Sequence, residues 1–224
     1  MMLYRCIQKW RARLVASQLR RPSGLLARRA AKAMNQANAG MYAVAKGALR
    51  LEPGHQLLEI GFGNGAFFQE IFDAHPEVSI TGVEFAPQMV REAHRRYPEA
   101  VQRGRLNVLQ GNSDCLPFAD GRFDRMLCVN LIYFWEHPEE HLAEIRRVLK
   151  PGGLWVCSFR PKDHLEAYPF ARHGFTHYSE AEWRSRLEAA GFTWIDSEYR
   201  KEPISHRLRE SVPFESVCLV VQRC

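Results

Sequence analysis

A glycine-rich turn that directly follows a short apolar run constrains this chain more than any other feature. The stretch LLEIGFGNGAFF covers residues 57–68 and places glycines at the alternate positions Gly61, Gly63 and Gly65. Glycine lets a backbone approach a ligand closely, and the helix that follows such a turn points free amide groups at it. The pattern fits both G-x-G-x-G and the dinucleotide form G-x-G-x-x-[GA], which would end at Ala66. The turn therefore predicts a nucleotide-like ligand, but the glycines alone do not identify that ligand.

Two acidic residues near the turn narrow this choice. Glu59 lies two residues before the first glycine, where its carboxylate would repel a pyrophosphate and attract an ammonium or sulfonium group. S-adenosylmethionine carries both of these cations, whereas NAD carries two phosphate charges. Glu84 lies about 20 residues beyond the turn, the spacing at which an acidic residue accepts hydrogen bonds from ribose hydroxyls. Glu84 thus predicts a nucleoside, and Glu59 favours a positively charged one.

Apolar segments typical of strands alternate with helical segments from residue 57 onward, which indicates a parallel sheet with helices on both faces. The last two predicted strands break the alternation, because the polar stretch between them contains Pro203 and Pro213 and no helical pattern. Parallel pairing normally needs a helical crossover, so the final strand is predicted to be antiparallel. We therefore expect an α/β fold with a Rossmann-like, doubly wound, seven-stranded sheet. The predicted strands are 56–60, 79–84, 106–111, 123–129, 154–159, 192–199 and 215–221.

The first 50 residues differ in charge from the rest of the chain. They contain eleven of the 31 basic residues and none of the 25 acidic residues, so positions 51–224 carry more acid than base. Leu3, Ile7, Trp10 and Leu14 recur at helical spacing, which predicts an amphipathic helix over residues 2–20 with arginines opposite. A second helix is predicted over residues 25–49. We therefore divide the chain into a basic N-terminal helical lid segment, 1–50, and a ligand-binding domain, 51–224.

Four motifs follow one another in the ligand-binding domain: LLEIGFGNG, VEFAPQMV, QGNSDCLPFADGRFDRMLCVN and RRVLKPGG. As a series they resemble the class I S-adenosylmethionine-dependent methyltransferases, in particular the broad subgroup that acts on small molecules. The resemblance covers about residues 50–160. It implies a seven-stranded sheet whose last strand is antiparallel, in agreement with the expectation from the chain's own pattern.

The resemblance implies a role for each matching residue. Glu59 and the glycine backbone would hold the methionine end of the cofactor, Glu84 the ribose hydroxyls, and Phe85 one face of the adenine. Ser113 would offer its backbone amide to the adenine edge. Asn112 stands where the family usually has Asp, but its side-chain carbonyl can still accept from the adenine amine. The implied cofactor contacts are Glu59, Gly61, Phe62, Gly63, Gly65, Glu84, Phe85, Met89, Asn112, Ser113 and Asn130.

Methyl transfer from a sulfonium is a direct displacement, so the protein must align the acceptor with the methyl carbon and exclude water. A neutral hydroxyl or ammonium acceptor also needs a base. Tyr133 and His137, in NLIYFWEHPEEHL after the fourth strand, are the candidate catalytic residues. Their alternative roles are a wall of the pocket for Tyr133 and a helix start for His137.

The segment RPKDHLEAYPFARHGFTHYSE is rich in histidine and aromatic residues. Its three histidines lie in a stretch interrupted by Pro and Gly, without the spacing of metal ligands, so no metal site is predicted. We expect this segment to cover the acceptor pocket. The rings assigned to the cover are Tyr168, Phe170, Phe175 and Tyr178.

The basic N-terminal segment has four interpretations. Residues 25–49 can form a lid over the cofactor, with Tyr42 as a candidate contact. Residues 2–20 can instead lie on an anionic membrane surface or serve as an Arg-rich, acid-free transit peptide. The fourth interpretation is a grip on nucleic acid. The acidic body and the lack of an N/D-P-P-Y stretch speak against the fourth.

We expect a single-domain methyltransferase that moves a methyl group from S-adenosylmethionine to a small, partly apolar acceptor. The alternatives are an NAD(P)-dependent oxidoreductase and a non-catalytic nucleoside-binding protein with the same fold. The longest apolar runs are far shorter than the roughly 20 residues that span a bilayer. The six cysteines contain no C-x-x-C pair, which favours a reducing compartment. A cytoplasmic protein is therefore expected, with membrane association or organelle targeting through residues 2–20 as the alternative.

Overall fold

The structure is a computed structural model that describes residues 2–202 and 214–224. Its described residues contain one sheet of seven strands. These are β1 (Gln56–Ile60), β2 (Ser79–Glu84), β3 (Leu106–Gln110), β4 (Phe123–Val129), β5 (Leu149–Phe159), β6 (Phe192–Glu202) and β7 (Phe214–Arg223).

The strand order across the sheet is β3-β2-β1-β4-β5-β7-β6. Strands β1 to β5 pair in parallel, whereas β7 runs antiparallel to both of its neighbours, β5 and β6. The predicted seven-stranded sheet with an antiparallel last strand is thus confirmed. The chain leaves β1 toward β2 and β3 on one side and returns to β4 on the other, so β1 and β4 flank the point where ligands bind in such sheets.

Several strand boundaries agree with the prediction and others differ for structural reasons. Strands β1, β2 and β4 begin and end at the predicted residues. Strand β5 begins earlier, because Leu149 already pairs with Phe123 before a shift in register. Strand β6 continues to Glu202 because its polar residues stay paired with β7. The connection that contains Pro203 and Pro213 lies outside the described residues.

Eight α-helices surround the sheet within the described residues. The last helix begins with a capping box, because the Ser179 hydroxyl accepts from the Glu182 backbone N–H and the Glu182 carboxylate accepts from the Ser179 N–H. The helices are α1 (Met2–Arg20), α2 (Ala27–Ala48), α3 (Phe68–Ala74), α4 (Pro87–Arg96), α5 (Pro98–Gln102), α6 (Pro138–Val148), α7 (Lys162–Leu165) and α8 (Glu180–Ala189).

Two apolar layers cover the two faces of the sheet. One layer packs Met41 and Leu49, at the end of α2, against strand residues such as Leu57. The other packs α6 and α8 against the opposite face, with Ile145 and Trp155 among its fully buried residues. The second half of helix α2 is therefore part of the hydrophobic core.

Helix α1 forms over the predicted residues but turns Ile7 and Trp10 to solvent. Ile7 is 48% exposed and Trp10 is 64% exposed, whereas the small Ala16 is buried. The helix contacts the short 3-10 turn Pro169–Arg172. Among the described residues, no helix is both long and apolar enough to cross a bilayer.

Candidate active site

The glycine turn leaves β1 at its carboxyl end and bends over the edge of the sheet. Gly61, Gly63 and Gly65 have φ angles of 74°, 59° and 68°, a left-handed conformation that strains any residue with a Cβ. A Cβ at Gly65 would also lie 2.9 Å from the Phe68 ring. A Cβ at Gly63 would meet nothing within 4 Å. The backbone shape thus requires glycine, and the turn leaves open space beside Gly63.

Glu59 is buried beneath this turn, with 1% of its surface exposed. Its Oε1 atom accepts a 2.7 Å hydrogen bond from the Tyr42 hydroxyl, whereas Oε2 is buried with no hydrogen-bond partner among the described residues. Burial raises the pKa of Glu59 from 4.5 to about 7; the charge of Glu84 adds to this, and Tyr42 and Lys46 oppose it. A buried carboxylate oxygen is unfavourable unless a donor or cation pairs with it. Glu59 is therefore suited to a positively charged partner.

Glu84, at the end of β2, is held by the backbone of two neighbouring loops. Its Oε2 atom accepts from the Gly63 N–H at 3.0 Å, and Oε1 accepts from the Ala86 N–H at 2.8 Å. Burial raises the pKa of Glu84 to about 7, against the effect of these hydrogen bonds. Each carboxylate oxygen can accept a second hydrogen bond. The fixed carboxylate can thus still receive two hydroxyl groups of a ribose.

Phe85 and Met89 follow Glu84 on the same side of the site. The Phe85 ring is 44% exposed, and the Arg21 guanidinium carbon lies over it, 4.9 Å from the centroid. Met89 is buried at the start of α4. An adenine that stacked on Phe85 would use the other face of the ring or displace Arg21.

Ser113 is fixed by a histidine that the sequence did not single out. Its hydroxyl lies 2.7 Å from Nδ1 of His141, and this imidazole stacks on Trp135 with a centroid distance of 4.7 Å. Burial lowers the pKa of His141 below its ordinary value, so the ring is neutral at pH 7. A neutral, stacked histidine can hold the Ser113 loop in one position.

The side chain of Asn112 is already engaged in the loop after β3. Its Oδ1 atom accepts from the Ser113 N–H at 3.0 Å, and its Nδ2 atom donates to Asp114 at 2.6 Å. The family resemblance assigns the Ser113 backbone amide to adenine, but in this structure that amide already donates to the Asn112 side chain. Adenine would have to replace the Asn112 side chain as the partner of this amide. Asp114 offers a carboxylate two residues beyond the position where the family usually has one.

Asn130 stands at the carboxyl end of β4 in a left-handed conformation, with a φ of 54°. Its Nδ2 atom donates to the Asn38 side chain of α2 at 2.8 Å, and its Oδ1 atom accepts from the Tyr133 hydroxyl at 2.9 Å. The same hydroxyl accepts from the Arg160 backbone N–H. Tyr133 is buried, and its hydroxyl holds Asn130 in place.

A cavity of about 270 Å³ lies between these elements. Most of the residues predicted to bind cofactor line it, and so does the candidate base His137, which is exposed at the start of α6. Glu59, Gly65 and Tyr133 are not part of the lining, although Tyr42, the partner of Glu59, is. The predicted residues brought together around the cavity are Gly61, Phe62, Gly63, Glu84, Phe85, Met89, Asn112, Ser113, Asn130 and His137.

The N-terminal helices supply another side of the cavity. Leu19 and Arg20, in the last turn of α1, line it together with Asn38 of α2. Arg20 forms a 2.8 Å ion pair with Glu136, which also lines the cavity. Both side chains are largely exposed, so this pair contributes little stability. The end of α1 is nevertheless part of the cavity wall.

The predicted aromatic cover occupies a different position. Its rings belong to the hydrophobic core or pack against it, and Phe175 contacts Phe134 at a centroid distance of 4.7 Å. Phe134, rather than the four predicted rings, lines the cavity. The rings concerned are Tyr168, Phe170, Phe175 and Tyr178. In the part of the chain that the structure describes, no three potential metal ligands lie together.

Sequence reasoning missed several residues of the site, among them His141, Asp114 and Asn38. His141 follows His137 by one helical turn in HPEEH, and this spacing could have placed both on one side of α6. Asp114 follows Asn112 closely enough to have been considered as a substitute for the missing Asp. Asn38 carries no sequence signal, because only the packing of α2 across β4 brings it to Asn130.

The strand order and the antiparallel last strand are those of the class I methyltransferase fold, and the glycine turn lies at the carboxyl end of β1. Residues 58–157 match the family described as a methyltransferase domain. The resemblance that the motif series predicts is confirmed over these residues, which are similar to a methyltransferase domain.

Individual relatives agree with this assignment. The uncharacterized methyltransferase YdaC of Bacillus subtilis (strain 168) is 27% identical over 152 residues, which cover 68% of this chain and 79% of that protein. A malonyl-[acyl-carrier protein] O-methyltransferase of Paenibacillus sp. (strain JDR-2) is 30% identical over 156 residues, 62% of this chain but only 56% of that protein. A chain in the solved complex of the Haloferax volcanii Trm112 methyltransferase activator with a methyltransferase shares the fold, with a TM-score of 0.73, 22% identity, and 86% and 92% of the two chains covered.

Proposed function

We propose that this protein transfers a methyl group from S-adenosylmethionine to a small, partly apolar acceptor. The observation that carries the proposal is the buried, unpartnered Oε2 atom of Glu59 below the glycine turn. Glu84 lies close enough to raise the pKa of Glu59. Two neighbouring carboxylates disfavour a diphosphate and favour a cation. This supports S-adenosylmethionine over NAD(P).

The residues present fit this cofactor. Glu59 would attract its ammonium group, the turn at Gly63 would admit its backbone-like methionine end, and Glu84 would accept from the ribose hydroxyls. Asn130 would border the methionine moiety. When bound, S-adenosylmethionine supplies a methyl group on a positively charged sulfur, which leaves as a neutral thioether. The protein's own task is to orient the acceptor and keep water out.

The acceptor side of the cavity supports a partly apolar substrate. Leu19, Met34, Leu131 and Phe134 contribute apolar surface to the lining. His137 is the one of the two predicted bases that lines this cavity, and it would take a proton from a neutral acceptor. Tyr133 would act as a positioning residue for Asn130.

The test is to incubate the full chain with methyl-labelled S-adenosylmethionine and a metabolite extract, and to identify labelled products by mass spectrometry. A new labelled product that depends on the protein supports the proposal. Reduction or oxidation of an extract component with NAD(P) would instead favour the oxidoreductase. Tight cofactor binding without any labelled product over a wide acceptor panel would favour a binding protein.

His137→Gln separates the roles of the two candidate bases. It should lower the rate of transfer to a neutral acceptor and leave cofactor affinity unchanged, because the cofactor contacts lie elsewhere on the cavity wall. Tyr133→Phe should instead lower cofactor affinity, since it releases Asn130. An unchanged rate in His137→Gln would show that this acceptor needs no base from His137.

A further inference from the structure

Helix α1 presents two large apolar side chains, Ile7 and Trp10, to water. Ile7, Trp10 and Leu14 recur at spacings of three and four, which places them along one side of the helix. Ile7 and Trp10 are 48% and 64% exposed, and Leu14 is half-buried. On the other side Ala16 is buried and Leu19 lines the cavity. The folded domain therefore packs on the side of α1 that carries Ala16 and Leu19, and it leaves Ile7 and Trp10 uncovered.

Cations flank this stripe on the surface of α1. Lys9, Arg11 and Arg13 are exposed, and none of them forms an ion pair within the described ranges. Arg11 and Arg13 fall on either side of the line through Ile7, Trp10 and Leu14. No acidic residue occurs in residues 1–50. A stripe of this composition has an apolar centre and a positively charged border.

We propose that α1 docks the protein on an anionic lipid surface, with Ile7 and Trp10 inserted among the lipids and Arg11 and Arg13 at the headgroups. Apolar insertion and attraction to anionic lipids are the two contributions that hold an interfacial helix. Tryptophan favours this interface because its ring is apolar and its N–H is polar.

The distribution of charge favours lipid over the other occupants. A second copy of the chain would bring two basic segments against each other, which is unfavourable. Nucleic acid would match the cations but would leave the aliphatic part of the stripe without a suitable partner. The remaining 174 positions carry 20 basic and 25 acidic residues, so an anionic bilayer attracts the N-terminal segment and repels the body. This orients the molecule with α1 toward the lipid.

Docking in this way would bring the methyl-transfer site close to the bilayer. The last turn of α1 contributes Leu19 and Arg20 to the cavity, so the helix on the lipid surface and the cavity wall are one element. The lipid proposal itself does not rest on the proposed methyl transfer, and its test needs neither cofactor nor acceptor.

The test is co-sedimentation of the full chain with vesicles of phosphatidylcholine alone and of phosphatidylcholine mixed with phosphatidylglycerol. We expect binding to the anionic vesicles at about 0.1 M salt that weakens at about 0.5 M salt. Trp10→Ser should lower the binding constant about 10-fold or more. Arg11→Glu with Arg13→Glu should lower it at least about 25-fold, at about 5-fold for each cation removed.

Matched variants on the body control for these changes. Trp194→Ser removes another exposed tryptophan, and Arg91→Glu with Arg103→Glu makes the same change in net charge on exposed body arginines. Each should bind vesicles like the unchanged chain. Circular dichroism should show all variants folded, because the altered side chains are exposed.

Three results would overturn the proposal. The first is a chain that stays in the supernatant with anionic vesicles. The second is equal binding to neutral and anionic vesicles, or equal binding by the α1 variants and the body variants. The third is a dimer in light scattering that Trp10→Ser converts to a monomer, which would assign the stripe to a second copy of the chain.

Discussion

Replacing Glu59 with glutamine should make the cofactor-free protein less sensitive to pH, because it removes a buried titrating group and keeps the size of the side chain. Burial raises the pKa of Glu59 from 4.5 to about 7. An acid whose pKa is higher in the folded state destabilises the fold as pH rises from its unfolded pKa through its folded pKa. The shift corresponds to about 3 kcal/mol lost between pH 4.5 and 8.

The assay is urea unfolding of both proteins across this pH range without cofactor. The free energy of unfolding of the unchanged chain, relative to Glu59→Gln, should fall by about 3 kcal/mol from pH 4.5 to 8. Glutamine leaves an amide N–H unpaired at the position of Oε2, but this penalty does not vary with pH and cancels in the comparison. Glu99→Gln, at an exposed carboxylate, is the control and should show no comparable trend.

The same substitution should weaken cofactor binding while it favours the cofactor-free fold at high pH. Loss of the charged contact should reduce S-adenosylmethionine affinity by about 1–3 kcal/mol, measured by calorimetry. A difference in unfolding free energy that is independent of pH would refute the raised pKa. Unchanged affinity would refute the placement of the ammonium group at Glu59.

Three further changes test neighbouring parts of the site. Tyr42→Phe removes the donor to Glu59. It should destabilise the cofactor-free protein by about 1–3 kcal/mol in urea unfolding, most strongly above pH 7. If the variant were as stable as the unchanged chain, the hydrogen bond would not be formed. Gly63→Ala should lower the free energy of unfolding by about 1–2 kcal/mol, because residue 63 has a left-handed φ. The control Gly47→Ala, in α2 with open space around it, should be neutral or stabilising. A similar loss of stability in both variants would contradict the role of φ. Cofactor affinity should fall roughly tenfold for each pH unit below 7, since Glu59 must release a proton before it pairs with a cation. Calorimetry in buffers of differing ionisation heat would detect that proton. An affinity that does not change with pH would count against this role of Glu59.

The arrangement of the sheet was predictable because its signals are local. The short apolar runs that became β1, β2 and β4 end at glycine, acidic or asparagine residues. The sequence between the last two strands shows no helical pattern, and this predicted the antiparallel direction of β7. The ends of β5 and β6 were less predictable, because they depend on pairing with a neighbouring strand rather than on hydrophobic pattern.

The site was predictable where one backbone segment determines it. The glycine turn places Gly61 and Gly63 at the cavity, and the end of β2 places Glu84 there. Contacts between distant segments were not predictable. The bonds from Tyr42 to Glu59 and from Asn38 to Asn130 depend on how α2 packs across the sheet.

Contacts between side chains explain the remaining differences between the predicted site and the observed one. The aromatic residues after β5 were expected over the cavity, yet they belong to the core or pack against it. Among them, Phe175 contacts Tyr133 and Phe134. Tyr133 was considered as a base, yet its hydroxyl is held between Asn130 and the Arg160 backbone. Sequence patterns show that such residues are apolar or polar, but they do not show which partner each one finds.

Calorimetric titration of the full chain with S-adenosylmethionine and, separately, with NAD tests the central claim most directly. The account predicts saturable binding of one S-adenosylmethionine per chain, weakened in Glu59→Gln, and no binding of NAD. Binding of NAD together with no heat from S-adenosylmethionine would contradict it.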